Sequence, residues 1–205
     1  RAVRVSEESD PVAAWKEHVS VLQKTADFLN AHDFLELHYR NGLGTDLHVE
    51  LPKGHIWMGG AERAASGTMF VANIPTEEVY TLPKRDGVNG VVVASKPLHY
   101  NGNLISGFSL TFRAGKVTDY HAESGEEHLR ELLQTDEGAS FLGEVALVPH
   151  ESPISASGIL FYNTLFDENA SCHLALGKAY PTCIRGGDGM MEEELLRHGV
   201  NHSLV

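Results

Sequence analysis

Near the start of the chain, the apolar positions repeat with the period of an α-helix. They recur at spacings of three and four residues, at Val12, Trp15, Val19, Leu22, Ala26 and Leu29, which places them along one side of a helix. Ser9 and Asp10 precede Pro11, and a capping side chain followed by proline is typical of a helix start. We predict a helix to about Ala31 that packs on a sheet, because the repeat lasts too few heptads for a coiled coil.

Short apolar segments separated by turn sequences follow this helix. Three pairs of segments flank an Asn-Gly or Ala-Gly step, as β-hairpins do. They are residues 34–40 with 47–51, 99–100 with 104–105, and 108–112 with 117–120, and one further apolar strand covers residues 91–94. We predict a mostly antiparallel, barrel-like sheet over residues 34–120.

The last third of the chain mixes the two patterns. Ser124 and Glu127 form a capping-box pattern ahead of a leucine-rich helix. Residues 144–148 and 172–176 are apolar enough for strands, and residues 159–166 fit either a helix or a strand. Asp188 is the predicted cap of a final helix that stops at Gly199. The predicted fold class is therefore α+β, a largely antiparallel sheet with flanking helices.

Composition narrows the class of protein. A length of 205 residues fits one large domain or two small ones, of which one is the simpler reading. A net charge of -12 disfavours nucleic acid or an anionic membrane surface as the main partner. No apolar run approaches the 18 residues or so of a membrane span, and no signal peptide is visible. The two cysteines, Cys172 and Cys183, cannot build a disulfide framework, which favours a reduced, cytoplasmic protein.

Three separated segments carry the candidate chemistry. Residues 72–83, 142–149 and 167–180 contribute Glu78, Glu144, His173 and Tyr180. Two carboxylates, an imidazole and a phenol suit a hydrolytic site on divalent metal ions. Glu77 and Glu78 are adjacent and point in different directions on a strand or turn, so at most one faces a shared site. Taken singly, each residue also fits a plainer role, as a solvated acid, a core histidine or a packing tyrosine.

The three segments together resemble the metallo-aminopeptidases typified by aminopeptidase T and aminopeptidase S, metallopeptidase family twenty-nine. Residues 73–81 (NIPTEEVYT), 143–146 (GEVA) and 168–180 (ENASCHLALGKAY) carry the resemblance. It implies that Glu78, Glu144 and His173 ligate metal and that Tyr180 is the catalytic phenol. Two divalent ions are implied, and mixed oxygen and nitrogen ligands suit Zn, Co, Mn or Mg.

The resemblance covers almost the whole chain. It implies that residues 1–205 form most of a C-terminal catalytic, metal-binding domain, without the family's N-terminal α/β domain and its extreme C-terminus. In the family an Asn-x-Ser segment, here Asn201-His202-Ser203, precedes a His-x-Asp pair that supplies two more ligands. We therefore expect this fragment to be nearly inactive by itself.

The function implied is a cytoplasmic, homodimeric aminopeptidase that releases N-terminal residues from peptides. Tyr180 would stabilise the oxyanion, and Glu144 is the better candidate for a general base, although the sequence does not separate ligand from base. The alternative is a non-catalytic β-barrel interaction or dimerisation domain.

Overall fold

A computed structural model describes residues 2–5 and 10–205, so Ser9 of the predicted helix start lies outside the described residues. Within them the helices are α1 (Pro11–His32), α2 (Glu126–Leu133), α3 (Pro153–Ser157), α4 (Thr164–Glu168) and α5 (Glu192–Arg197). The strands are β1 (Glu36–Arg40), β2 (Asp46–Glu50), β3 (Glu62–Arg63), β4 (Met69–Phe70), β5 (Val79–Thr81), β6 (Val88–Val93), β7 (Leu98–Tyr100), β8 (Asn103–Ile105), β9 (Ser109–Arg113), β10 (Lys116–His121), β11 (Leu142–Leu147) and β12 (His173–Leu176).

The chain divides into two compact units. The first unit comprises Arg1–Asp33, Trp57–Tyr80 and Ala146–His173, and the second comprises Phe34–Ile56, Thr81–Val145 and Leu174–Val205. The mixture of helices with antiparallel strands confirms the α+β prediction at this level.

Helix α1 is the longest element of the first unit. Its N-cap is Asp10, whose carboxylate accepts hydrogen bonds from the backbone N–H groups of Val12 and Ala13. The predicted apolar stripe is buried only in its second half, at Leu22, Ala26 and Leu29, while Val12 is exposed. The Asn30 side chain donates to the carbonyl of Trp57 and accepts from its N–H, at 2.9 and 2.8 Å, which ties the end of α1 to the next segment of this unit.

A five-stranded sheet, in the order β1-β2-β6-β9-β10, forms the centre of the second unit. The predicted hairpins are confirmed as the antiparallel pairs β1–β2, β7–β8 and β9–β10. On β2, Leu47 and Val49 are buried while Asp46 and His48 are exposed, so one face of the strand meets the core and the other meets solvent.

The sheet does not close. β1 and β10 are edge strands, because each has a neighbour on one side only, and the described strands form no closed barrel. The barrel-like shape therefore stays a prediction. A further sheet has the strand order β12-β11-β5.

Two predicted helix starts are wrong. The N-cap of α2 is Gly125, with no side-chain capping bond, because the backbone of Ser124 pairs with Ser106 and the next residue has to turn into the helix. Asp188 lies in a separate 3-10 turn, and α5 begins only after Met191.

The ambiguous segment 159–166 is irregular until α4 begins at Thr164. The carboxylate of Asp167 accepts hydrogen bonds from the backbone of Phe161 and Asn163. These hydrogen bonds satisfy the two backbone N–H groups, so the segment does not need to pair as a strand. Among the described residues, none of the helices combines the length and apolar character needed to cross a bilayer.

The C-terminal segment is held within the second unit by buried polar groups. The amide of Asn201 donates to the carbonyls of Gly138 and Gly177, at 2.9 and 2.6 Å. The carboxylate of Asp136 accepts from the Ser203 hydroxyl and from the Leu204 N–H. The hydrogen bond from Leu204, followed by that from Ser203, holds the pKa of Asp136 below its ordinary value.

Replacement of Gly90 by alanine should destabilise the second unit. Gly90 has φ +118°, and a Cβ there would lie 2.1 Å from the carbonyl oxygen of Asp46 on the paired strand. We expect Gly90→Ala to lower the free energy of unfolding by roughly 1–3 kcal/mol, measured by urea denaturation. Gly42→Ala is the control, because nothing lies within 4 Å of its Cβ position. Equal stability of the two variants would contradict this account of the strand.

The docking of the C-terminal segment should depend on pH. The pKa of Asp136 is lower in the folded protein than in the unfolded chain. The stability that Asp136 contributes is therefore present above its unfolded-state pKa, and it is lost as the pH falls through its folded-state pKa. The free energy of unfolding of wild type should therefore exceed that of Asp136→Asn most clearly near neutral pH. The difference should shrink below about pH 4. Urea titrations from acid to neutral pH measure this difference, with Asp119→Asn on the exposed face of β10 as control. A difference that is constant with pH would exclude the role given to Asp136.

Candidate metal centre

The two adjacent acids ahead of β5 have different partners. Glu77 accepts a two-pronged ion pair from Arg4, with both N–O distances 2.9 Å. Glu78 instead places its Oε2 3.0 Å from Nε2 of His173. Both carboxylates are buried. As the sequence predicts, the neighbours point in different directions, and Glu78 is the one that reaches His173.

A histidine of α1 supports the Glu77 side of this loop. His18 Nε2 donates to the carbonyl of Thr76 at 2.7 Å and lies 3.7 Å from Glu77 Oε2. Burial lowers the pKa of His18 below its ordinary value, against the opposing effect of the Thr76 hydrogen bond. Because Arg4 and His18 both contact Glu77, this acid has a structural role in the loop.

A buried amide connects the Glu78 loop to the segment before His173. Asn169 is fully buried, and its Oδ1 accepts from the Glu77 N–H at 2.7 Å. Its Nδ2 donates to the carbonyl of Leu165, and its own carbonyl accepts from the Ser152 hydroxyl, both at 2.8 Å. Sequence reasoning had not assigned Asn169 a role, although it lies in the ENA part of the third segment.

His173 opens β12 with one ring nitrogen already engaged. Its Nδ1 lies 3.2 Å from the carbonyl of Ser171, and a carbonyl only accepts, so this hydrogen bond requires the proton on Nδ1. Nε2 is then the nitrogen directed at Glu78. Histidine ligands of metals commonly have this arrangement, with the second nitrogen held by a backbone carbonyl.

Glu78 presents a buried oxygen that fits a cation. Its Oε2 makes no hydrogen bond within the described part of the chain, and an ionised carboxylate that is buried without one is costly. Ligand atoms around one divalent ion, each about 2 Å from it, lie roughly 3 Å apart. The separation of 3.0 Å between Glu78 Oε2 and His173 Nε2 has this value.

Glu144 is the candidate ligand of the second segment. It is half-buried on β11 and belongs to the second unit. A glycine precedes it because a Cβ on Gly143 would lie 2.4 Å from the carbonyl oxygen of Lys178. Two carboxylates and one imidazole are a donor set suited to Zn, Mn or Co.

Tyr180 is more exposed than these three residues. Its side chain is 54% exposed, and it immediately precedes the 3-10 turn Pro181–Cys183, where its carbonyl accepts from the Cys183 N–H at 3.0 Å. A phenol in this position is accessible to a ligand from solvent. Its catalytic role stays a prediction.

Comparisons with known proteins agree with the resemblance of the three segments. The family model described as thermophilic metalloprotease (M29) matches residues 1–205. The chain is 57% identical over 205 residues to Aminopeptidase 2 of Geobacillus stearothermophilus, covering all of this chain and 49% of the relative. It is 54% identical over 205 residues to Aminopeptidase AmpS of Bacillus subtilis (strain 168), covering all of this chain and 50% of that relative.

A solved structure shares the fold. The structure of wild-type AmpT from Thermus thermophilus matches with a TM-score of 0.89 and 48% sequence identity, over 95% of this chain and 48% of that one. The chain thus spans about half the length of the relatives it matches.

Removal of the Asn169 amide should loosen the Glu78 loop. Asn169→Ala leaves the Glu77 N–H and the Leu165 carbonyl without their side-chain partner, so we expect a loss of roughly 1–3 kcal/mol in the free energy of unfolding. Asn103→Ala is the control, because the amide of this half-buried residue donates a solvent-exposed hydrogen bond of 3.2 Å to the nearby carbonyl of Asn101. Chemical denaturation of both variants measures the effect. If they unfold at the same denaturant concentration, Asn169 is not a structural link.

Proposed function

Since the chain belongs to the thermophilic metalloprotease (M29) family, we propose that the whole protein is a metal-dependent aminopeptidase that releases N-terminal residues from peptides. The observation that carries this proposal is the buried Oε2 of Glu78, which lies 3.0 Å from His173 Nε2. The relatives named as aminopeptidases support the same activity.

We propose that Glu78, Glu144 and His173 hold divalent metal, two ions in the complete site, drawn from Zn, Co, Mn and Mg. Bound divalent metal lowers the pKa of water and polarises a scissile carbonyl. Three ligands fall short of what two ions need, so ligands from the rest of the protein complete the site. For the 205-residue chain by itself we expect weak metal binding and little turnover.

The remaining chemistry is assigned to two side chains. Glu144 is assigned the role of general base, the carboxylate that accepts a proton from the attacking water. Tyr180, with its exposed phenol, donates a hydrogen bond to the oxyanion that develops on the scissile carbonyl. The ring of His173 is kept in one orientation by the Ser171 carbonyl.

We also propose the oligomeric state, the cellular location and the partners of the protein. Residues 1–205 would form most of the C-terminal catalytic domain of a homodimer. Within the described residues neither Cys172 nor Cys183 forms a disulfide, and reduced thiols fit a reducing, cytoplasmic location. The excess of acidic residues supports peptides as partners, with no role for nucleic acid or membrane.

Two substitutions in the whole protein test the assigned roles. Tyr180→Phe removes one hydroxyl, so metal content should be retained while turnover of an aminoacyl substrate falls roughly 100- to 1,000-fold. Glu144→Gln removes a charge next to the metal, so metal content and turnover should fall together. Metal analysis and turnover are measured on the same preparations.

The alternative, a non-catalytic interaction domain, predicts unchanged metal content in both variants and no turnover in wild type. Wild-type turnover in Tyr180→Phe would remove Tyr180 from the mechanism while leaving the aminopeptidase proposal intact. Full metal content in Glu144→Gln would remove Glu144 from the ligand set.

A further inference from the structure

Two histidines face each other on the exposed side of the β1–β2 hairpin. His38 of β1 pairs in register with His48 of β2. Their rings stack, with centroids 3.9 Å apart and planes 19° from parallel. Because the core-facing side of β2 is occupied by Leu47 and Val49, both imidazoles lie on the solvent-facing side of the sheet.

Each imidazole has a carboxylate at hydrogen-bond distance. His38 Nε2 lies 2.6 Å from Asp46 Oδ1, and His48 Nδ1 lies 2.6 Å from Glu36 Oε1. The hydrogen bond from His38 holds the pKa of Asp46 below its ordinary value, so this carboxylate is ionised at neutral pH. The four side chains give a small surface two imidazoles and two carboxylates on paired strands.

We propose that His38, Asp46 and His48 form a second divalent-cation site, selective for borderline metals such as Zn²⁺ and Cu²⁺. One ligand atom from each of the three residues lies within 4.8 Å of the others. Imidazole nitrogen with one carboxylate favours Zn²⁺ and Cu²⁺ over Mg²⁺ or Ca²⁺, which prefer oxygen ligands alone.

Binding requires the two imidazoles to leave their stacked arrangement. With the ring planes only 19° from parallel, at least one ring has to rotate so that both can direct a nitrogen at the same ion. The cation takes the place of the hydrogen bond between His38 and Asp46, and their ligand atoms separate from 2.6 Å to roughly 3 Å around it. All three residues are exposed, so their rotation meets no packed core. Glu36 keeps its hydrogen bond to Nδ1 of His48 and so orients Nε2, as a carboxylate does when it accepts from the other nitrogen of a metal-ligating histidine.

Other histidine–carboxylate pairs on the surface lack this composition. His121 with Glu126, and His202 with Glu192, each bring a single imidazole. Within the second unit, a group of three such ligands occurs among the described residues only here. Arg40, which pairs in register with Asp46, opposes a cation by its charge and limits the affinity.

A cation at this place would join an edge strand to its neighbour. β1 has no second neighbour in the sheet, so its pairing with β2 is the contact that a bridging metal would reinforce. Binding to the folded state alone raises the midpoint of thermal unfolding as metal is added. The site does not depend on the proposed aminopeptidase activity, since it shares no residue with that centre.

Zinc titration of the whole protein tests the site. The background variant is His173→Gln, which weakens the candidate metal centre, and all samples are first stripped of metal by a chelator. We expect calorimetry to show one Zn²⁺ site whose affinity falls at least about tenfold in His38→Gln and in His48→Gln. His121→Gln, which removes an exposed histidine also paired with a carboxylate, is the matched control and should leave the affinity unchanged.

A spectroscopic measurement identifies the ligands independently. Cu²⁺ bound in the same background should show two imidazole nitrogens by electron paramagnetic resonance, and one in either His38→Gln or His48→Gln. Circular dichroism melts without metal verify that each variant is folded, and Asp46→Asn replaces any variant that is not. Zinc affinity that is equal in all variants, or lost equally in His121→Gln, would overturn the proposal.

Discussion

Two buried carboxylates in adjacent positions impose the constraint on which the candidate metal centre depends. Glu77 and Glu78 are both almost fully withdrawn from solvent, and buried charges are stable only when they are paired. Because successive residues point in different directions, each acid needs its own partner. Arg4 neutralises Glu77 and His18 contacts it, while Glu78 places its Oε2 next to Nε2 of His173.

This division explains why the surrounding polar groups are arranged as they are. Asn169 accepts from the Glu77 backbone and so limits how far the loop can rotate. Ser171 holds Nδ1 of His173 and so directs Nε2 at Glu78. Both contacts hold a residue that we propose as a metal ligand, or the loop that carries it. A site held in this way is organised in advance, which lowers the free energy that metal binding would have to supply.

The second unit shows how one sheet can carry two kinds of surface. The alternation along β2 buries Leu47 and Val49 and leaves Asp46 and His48 in solvent. Close approach of β6 depends on Gly90, where a side chain would collide with the backbone of Asp46. The packing that keeps β1 and β2 in register therefore also places His38 beside His48.

The sequence by itself determined the elements whose signals are local. Asp10 and Pro11 marked the start of α1, and the Asn-Gly and Ala-Gly steps marked three hairpins, because caps and turns depend on neighbouring residues. The same local signals failed at Ser124 and Asp188. The backbone of Ser124 is bonded to Ser106, and such a tertiary contact overrides a capping pattern that the local sequence satisfies.

Only the tertiary structure decided which side chains meet. Glu77 and Arg4 are 73 residues apart, and Glu77 and Asn169 are 92 apart. The sequence predicted Glu78, Glu144 and His173 as a set through a family resemblance, since no spacing rule connects residues so far apart. It did not single out His38 and His48, because their proximity follows from the β1–β2 register. Registers and long-range contacts arise from packing of the whole chain, and for that physical reason a local pattern cannot specify them.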